Sequence, residues 1–338
     1  MKLGTFTFLT TVTLFGVLPM PARLAAQVAS SKIIAFDAPG AISFAGSFDG
    51  TFPKSINDTG VIAGYYLDAN TFYHGFLRSP GGEFLTFDAP GSGTSVGFRF
   101  GPLPNSISIR NSININKLGT VTGNYVDSNN VSHGFLRSPQ GEFTSLDAPG
   151  ASSAAGSFDG TFPSSINNRG SITGNYIDSK QVIHGLLRSP SGEFTTFDGP
   201  GANSFGYGTF PARINDAGVI TGHYVDAHNV NRGFLRSPAG ELLTFDAPGA
   251  GSVAAAGYGT FPKSINDAGA ITGHYADTHG LIHGFVRSPS GEFTTFDAPG
   301  PTGGWAWGIF PESLNDAGAV TGHYTDAVGM NHGFLRIP

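Results

Sequence analysis

From Ile33 onward the apolar positions fall in short alternating runs of strand length, broken by clusters of Gly, Pro, Asn and Asp. In the stretch 270–277, Ile271, Gly273 and Tyr275 share one face, and Thr272, His274 and Ala276 share the other. That period of two marks a strand. The surrounding segment divides into strands over 260–266, 270–277, 283–288 and 292–297. Asp267-Ala268-Gly269 and Pro289-Ser290-Gly291 supply the turns, with Gly providing the positive φ that tight hairpins require. No segment sustains a helical period.

The same pattern recurs through the chain. His-Gly, an apolar pair and Arg begin at His74, His133, His184, His283 and His332, and Arg232 takes the His position in the fourth copy. Phe-Asp-Ala-Pro-Gly starts at Phe36, Phe87, Phe245 and Phe296, with variants at Leu146 and Phe197. Ile-Asn-Asp-x-Gly starts at Ile56, Ile214 and Ile265, with near copies at Ile115, Ile166 and Leu314. Six four-stranded repeats of about 50 residues predict a β-propeller. A lone fourth strand at Ile33–Asp37 and a final third strand at His332–Arg336 predict a ring in which the N-terminal strand completes the last blade. An open β-solenoid gives no reason to split a repeat between the ends.

The phrase His-Gly-Phe-Leu-Arg-Ser-Pro-x-Gly-Glu-Phe-Thr-Thr-Phe-Asp-Ala-Pro-Gly, preceded by Ile-Asn-Asp-x-Gly-x-Ile-Thr-Gly, resembles the bacterial extracellular repeats named for their His-Ala-Phe motif (HAF repeats). The resemblance covers all six copies. Gly75 and Gly134 stand where the family's name has Ala, which marks a variant branch. The resemblance implies export and repeated β architecture, and no established activity, cofactor or catalytic residue.

Residues 1–26 read as a secretory signal: Lys2, an apolar run over 5–18, then Ala22-Arg23-Leu24-Ala25-Ala26 as a small-residue cleavage context. The run is short for a membrane span, which needs about 20 residues. The expected mature chain, 27–338, is one six-repeat domain, monomeric, extracellular or periplasmic, with no membrane span after cleavage. The 338 residues include 50 Gly, 29 Phe and no Cys, so disulfides, Cys-ligated zinc and thiol nucleophiles are excluded. A net charge of −6 offers no footprint for nucleic acid.

Almost every acidic residue recurs blade by blade, so each shares its environment with several equivalents. A catalytic acid and base need different environments. The periodic Arg78, Arg137, Arg188, Arg236, Arg287 and Arg336 are expected to pair with the equally periodic Asp inside each blade, and the His-Gly column to cap strands by hydrogen bonding. Two features break the symmetry. His223, His274 and His323 follow Thr-Gly in three consecutive copies and are the candidate ligands of a divalent metal; no other cofactor is expected. The loops entering each blade carry Phe98, Phe100, Phe205, Tyr207, Tyr258, Trp305 and Trp307, aromatic faces suited to sugar rings or a protein partner. The resulting expectation is a non-enzymatic module binding glycan, envelope polysaccharide or a protein through these loops. The alternative is a polysaccharide hydrolase or lyase at the channel mouth.

Overall fold

The computed structural model describes residues 36–41, 50–70, 72–90, 113–157, 159–202, 207–252, 257–297, 308–325 and 331–338. The proposed signal segment, Ile33–Ala35, Phe98, Phe100, Phe205, Trp305 and Trp307 lie outside them. The described residues contain strands and no helix, and hence no helix able to cross a membrane.

The strands follow the repeats. Unit 1 holds β1 (Thr51–Ile56), β2 (Ile62–Leu67), β3 (Tyr73–Arg78) and β4 (Phe84–Phe87); unit 2 holds β5 (Asn114–Ile115), β6 (Val121–Val126), β7 (Ser132–Arg137) and β8 (Phe143–Leu146). Unit 3 holds β9 (Thr161–Ile166), β10 (Ile172–Ile177), β11 (Ile183–Arg188) and β12 (Phe194–Phe197). Unit 4 holds β13 (Thr209–Ile214), β14 (Ile220–Val225), β15 (Asn231–Arg236) and β16 (Leu242–Phe245). Unit 5 holds β17 (Gly259–Ile265), β18 (Ile271–Ala276), β19 (Ile282–Arg287) and β20 (Phe293–Phe296), and unit 6 holds β21 (Ile309–Leu314), β22 (Val320–Thr325) and β23 (Asn331–Arg336). Within each unit, successive strands pair antiparallel. The strands predicted for the fifth repeat are found to within about one residue at each end.

Side-chain hydrogen bonds explain why the turns recur. Asn57 Oδ1 accepts the backbone N–H groups of Thr59 and Val61, and Gly60 takes φ 80°, so Asn-x-x-Gly closes the hairpin between first and second strands. Asp68 Oδ1 accepts the N–H groups of Asn70 and Phe72 in the next hairpin. The Pro of Phe-Pro is tolerated because the first strand is an edge strand with a bulge beside it. The register skips one residue there, leaving Lys54, Ser164, Ala212, Lys263 and Glu312 as the extra residues of their units.

Burial orders each unit from inside to outside. In units 1 to 5 the second strands are mostly buried on both faces, as β6 and β18 are throughout, whereas the fourth strands expose their middle residues. Phe76, Phe135, Leu186, Phe234 and Phe285, following His-Gly or Arg-Gly, are fully buried. Adjacent units are tied by short parallel bridges, Ser132 to Gly160, Ile183 to Gly208, Asn231 to Gly259 and Ile282 to Gly308. The Thr opening the first strand accepts an N–H from the preceding Asp-Ala-Pro-Gly turn, as Thr161 Oγ1 does from Ala148 at 2.9 Å. Four-stranded meanders stacked in this way, with their first strands around one cavity, form an all-β propeller.

Candidate functional site

The hairpins between first and second strands of all six units surround one cavity of about 240 Å³. Its wall is built by a ladder. The Nδ2 of Asn57 donates to the Asn116 carbonyl, Asn116 to Asn167, Asn167 to Asn215, Asn215 to Asn266, and Asn266 to Asn315, at 2.9–3.1 Å. Each Asn Oδ1 accepts a backbone N–H of its own turn, which fixes the orientation of the amide that donates across the boundary. A second ladder runs beside the first: the N–H of Lys117 reaches Asn168 Oδ1, Asn168 reaches Asp216, Asp216 reaches Asp267, and Asp267 reaches Asp316. Each ladder carbonyl also accepts the Gly N–H of its own turn, so the groups at the mouth left to accept from the hydroxyls of a polar ligand are the carboxylates of Asp58, Asp216, Asp267 and Asp316.

Arg213 also lines this cavity. Its position in the other units is Ser55, Asn114, Ser165, Ser264 and Ser313, so one unit of six places a guanidinium where the others place a small polar group. Burial lowers its pKa. Sequence reasoning passed over it; the signal was the break in an otherwise small column.

Farther along the first strands, aromatic rings alternate between units. Phe210 stacks on His223 at 4.8 Å, Phe261 on His274 at 4.9 Å, and Phe310 on His323 at 5.0 Å. His223 meets Phe261 at 5.2 Å and His274 meets Phe310 at 5.2 Å. The three imidazoles share one belt, with a phenyl ring between each pair. Among the described residues no group of three or more His, Cys, Asp or Glu is placed to hold a metal ion, so the sequence-derived trio does not converge on one point. Burial, assisted by the Lys263 charge, lowers His223 to about 3, and burial followed by the same Lys263 charge lowers His274 well below the usual range. Both rings are neutral at neutral pH.

Of the loop aromatics, Tyr258 is buried, and its carbonyl accepts the N–H and Nδ2 of Asn231, so it seals the boundary between units 4 and 5. Tyr207 is half-buried, and its carbonyl accepts the Ile183 N–H across the boundary of units 3 and 4. His228 and His279 project from the outer hairpins with side chains 84% and 81% exposed.

Among the described residues no ion pair joins Arg137, Arg188, Arg236 or Arg287 to an Asp, contrary to the sequence expectation; each donates through Nη1 to the carbonyl of the following Ser. Arg137, Arg236, Arg287 and Arg336 lie over Phe87, Phe197, Phe245 and Phe296 of the preceding unit, with Cζ 4.9–5.2 Å from the ring centroids. They are cation–π clasps between blades. The Asp partners go instead to the His column. His74 bridges Asp88 at 2.7 Å and Asp68 at 3.4 Å, and His133, His184 and His283 repeat this. Arg232 substitutes with bonds to Asp226 and Asp246. The hydrogen bond to Asp88 holds the His74 pKa above its usual value against partial burial, with Asp68 adding to it. Stability from this raised group is full below about pH 6.5 and fades as pH rises through the folded-state value. The unfolding midpoint of the wild type should therefore fall between pH 6 and 8 by more than that of His74→Gln. The difference should amount to at most about 1 kcal/mol, since Asp88 is half-exposed and screened; parallel melts of the two proteins would expose any failure.

Neither a family model nor a curated protein matches the chain. Among solved structures it is similar to a streptogramin B lyase, at 14% identity over 88% of this chain and 96% of that one, TM-score 0.49. It is also similar to the Aleuria aurantia lectin, described as a six-bladed β-propeller with a novel fucose recognition mode, at 14% identity over 84% and 89%, TM-score 0.47. AofleA from Arthrobotrys oligospora follows at 12% identity over 83% and 81%, TM-score 0.44. At this distance the site's chemistry has to come from its own residues.

Proposed function

We propose that this chain is an exported, closed six-bladed β-propeller that binds a saccharide rather than transforming one. The carrying observation is the cavity that all six units line, with the carboxylates of Asp58, Asp216, Asp267 and Asp316 at its mouth as acceptors for hydroxyl groups. The carboxylates at its mouth repeat one structural task, accepting the neighbouring unit's N–H, which leaves them without the contrast that an acid–base pair requires.

Closure is part of this proposal. β23 is paired on one side, by β22, and Phe36-Asp37-Ala38-Pro39-Gly40 repeats the phrase that ends the fourth strand elsewhere. The strand ending there completes the last blade. Ile56 is 65% exposed whereas its counterparts Ile166, Ile214 and Ile265 are buried, an apolar face that a closed seam would cover. Export follows from the apolar segment before Ala26 and from the resemblance to extracellular repeats.

Two surfaces can serve the ligand: the axial cavity, and the blade-entry loops, where Trp305 and Trp307 supply stacking faces. A glycan-array screen of residues 27–338, with and without chelator and with the Trp305→Ala/Trp307→Ala variant alongside, tests the reading. Binding that survives chelation supports it, and loss in the variant assigns the loop. Silence across all glycans would refute it.

A further inference from the structure

An uninterrupted run of rings joins units 4 to 6. Phe210, His223, Phe261, His274, Phe310 and His323 follow one another with centroids 4.8–5.2 Å apart. Each imidazole stacks on a phenyl of its own unit, and His223 and His274 also meet a phenyl of the next unit. The ring contacts that cross these two boundaries are thus made by groups whose charge depends on pH. Units 1 to 3 have Tyr65, Asn124 and Asn175 in the imidazole position. His274, at the centre of the run, is buried, and its Nδ1 has no hydrogen-bond partner.

No counter-charge faces the run. The third strands β15 and β19 place Gly233 and Gly284 opposite His223 and His274, and on the second strands β14 and β18 the adjoining Tyr224 and Tyr275 point to the other face of the sheet. Of the charged residues on the first strands, Lys263 of β17 acts on both imidazoles. Arg213 of β13 lines the mouth cavity, and Glu312 of β21 acts on Lys54. His274 also feels His223 and, on β22, His323. A proton added here is therefore enclosed and repelled by Lys263 and the next imidazole. Stacking on a phenyl face returns only part of that cost. The outcome is the lowering of both groups from the usual 6.5, His223 to about 3. The closed run is accordingly stable above about pH 6.5 and loses stability as pH falls towards the lowered values, by up to about tenfold per pH unit for each imidazole that gains a proton on opening.

We propose that this belt of rings is an acid-released latch, in which protonation of the imidazoles parts units 4, 5 and 6 along their inner strands while units 2 and 3 stay packed. The same two boundaries are clasped farther out by Arg287 over Phe245 and Arg336 over Phe296, and a guanidinium keeps its charge throughout this pH range. Release is thus confined to the inner strands, and the channel rather than the whole fold responds to acid. The latch is independent of the saccharide reading.

Hydrogen exchange of the full mature chain between about pH 7 and pH 4.5, corrected for the intrinsic rate, tests it strand by strand. Protection of β14 and β18 should fall by about tenfold or more relative to β6 and β10. His223→Asn/His274→Asn, which installs the residue native to units 2 and 3, should remove that difference. An equal fall in all units, no fall, or a difference unchanged in the variant overturns the proposal. Should the variant fail to fold, the imidazole resonances of the wild type decide. Rings of His223 and His274 that stay neutral down to about pH 5 sustain the latch, and titration near the ordinary value of about 6.5 removes it.

Discussion

Replacing Gly259 by alanine is expected to destabilise the protein by about 3–5 kcal/mol, among the largest losses available from one methyl group. Gly259 has φ 107°, in a region L-residues rarely adopt, and a Cβ there would lie 2.0 Å from the Asn231 carbonyl oxygen. That oxygen belongs to the parallel bridge linking units 4 and 5, so relief would require separating two blades. The control is Gly156→Ala, where φ is 80° but nothing lies within 4 Å of the new methyl. Only the backbone preference is lost there, about 1 kcal/mol. Urea unfolding of both variants separates the two terms. Equal losses would show that blade contact is not what demands glycine at 259.

The bridging glycines also show how far the amino-acid order carries the fold. Turn chemistry is local: Asn57 and Asp68 reveal their hairpins because each side chain bonds within four residues, and Gly60 because the turn needs its φ of 80°. The strands between them are legible for the same reason. Contacts between blades are not local, and their partners repeat at one period, so periodicity cannot choose among them. Arg236 could face a periodic Asp or a periodic Phe, and the choice depends on which ring of the preceding blade lies beneath it. The His223, His274 and His323 column is equally ambiguous, because whether a Phe stands between the imidazoles depends on the stagger of adjacent blades. Tyr258 reads as a loop aromatic and lies buried because its carbonyl is drawn to Asn231. Arg213 was legible in principle, as the charged member of a small polar column. Its enclosure was not, since six strands from distant segments produce it.

The second large effect lies in the hydrophobic contact between blades. Phe234 is fully buried among Ile214, Ile220 and Tyr224 of its own unit. It meets Phe197 of the preceding blade edge-to-face, with centroids 6.0 Å apart. Phe234→Ala should cost about 3–5 kcal/mol, from lost transfer energy plus the cavity left in a wall that two blades share. Leucine should cost far less, about 1–1.5 kcal/mol, because the molecule already contains that solution: Leu186, at the equivalent position of unit 3, is 1% exposed. At that interface the preceding blade also ends in Leu146 where Phe197 stands one unit later. Aromatic thus faces aromatic at one boundary, and leucine accompanies leucine at the other. The pair should consequently be coupled. In a double-mutant cycle, Phe197→Leu and Phe234→Leu together should cost less than their separate losses added, by about 0.5–1.5 kcal/mol. Strict additivity would mean that each ring is held by its own blade and that the boundary contributes only excluded water. Coupling would place the cohesion of the propeller in the ring-to-ring contact, with the buried Arg236 guanidinium 4.9 Å from the Phe197 centroid clamping it.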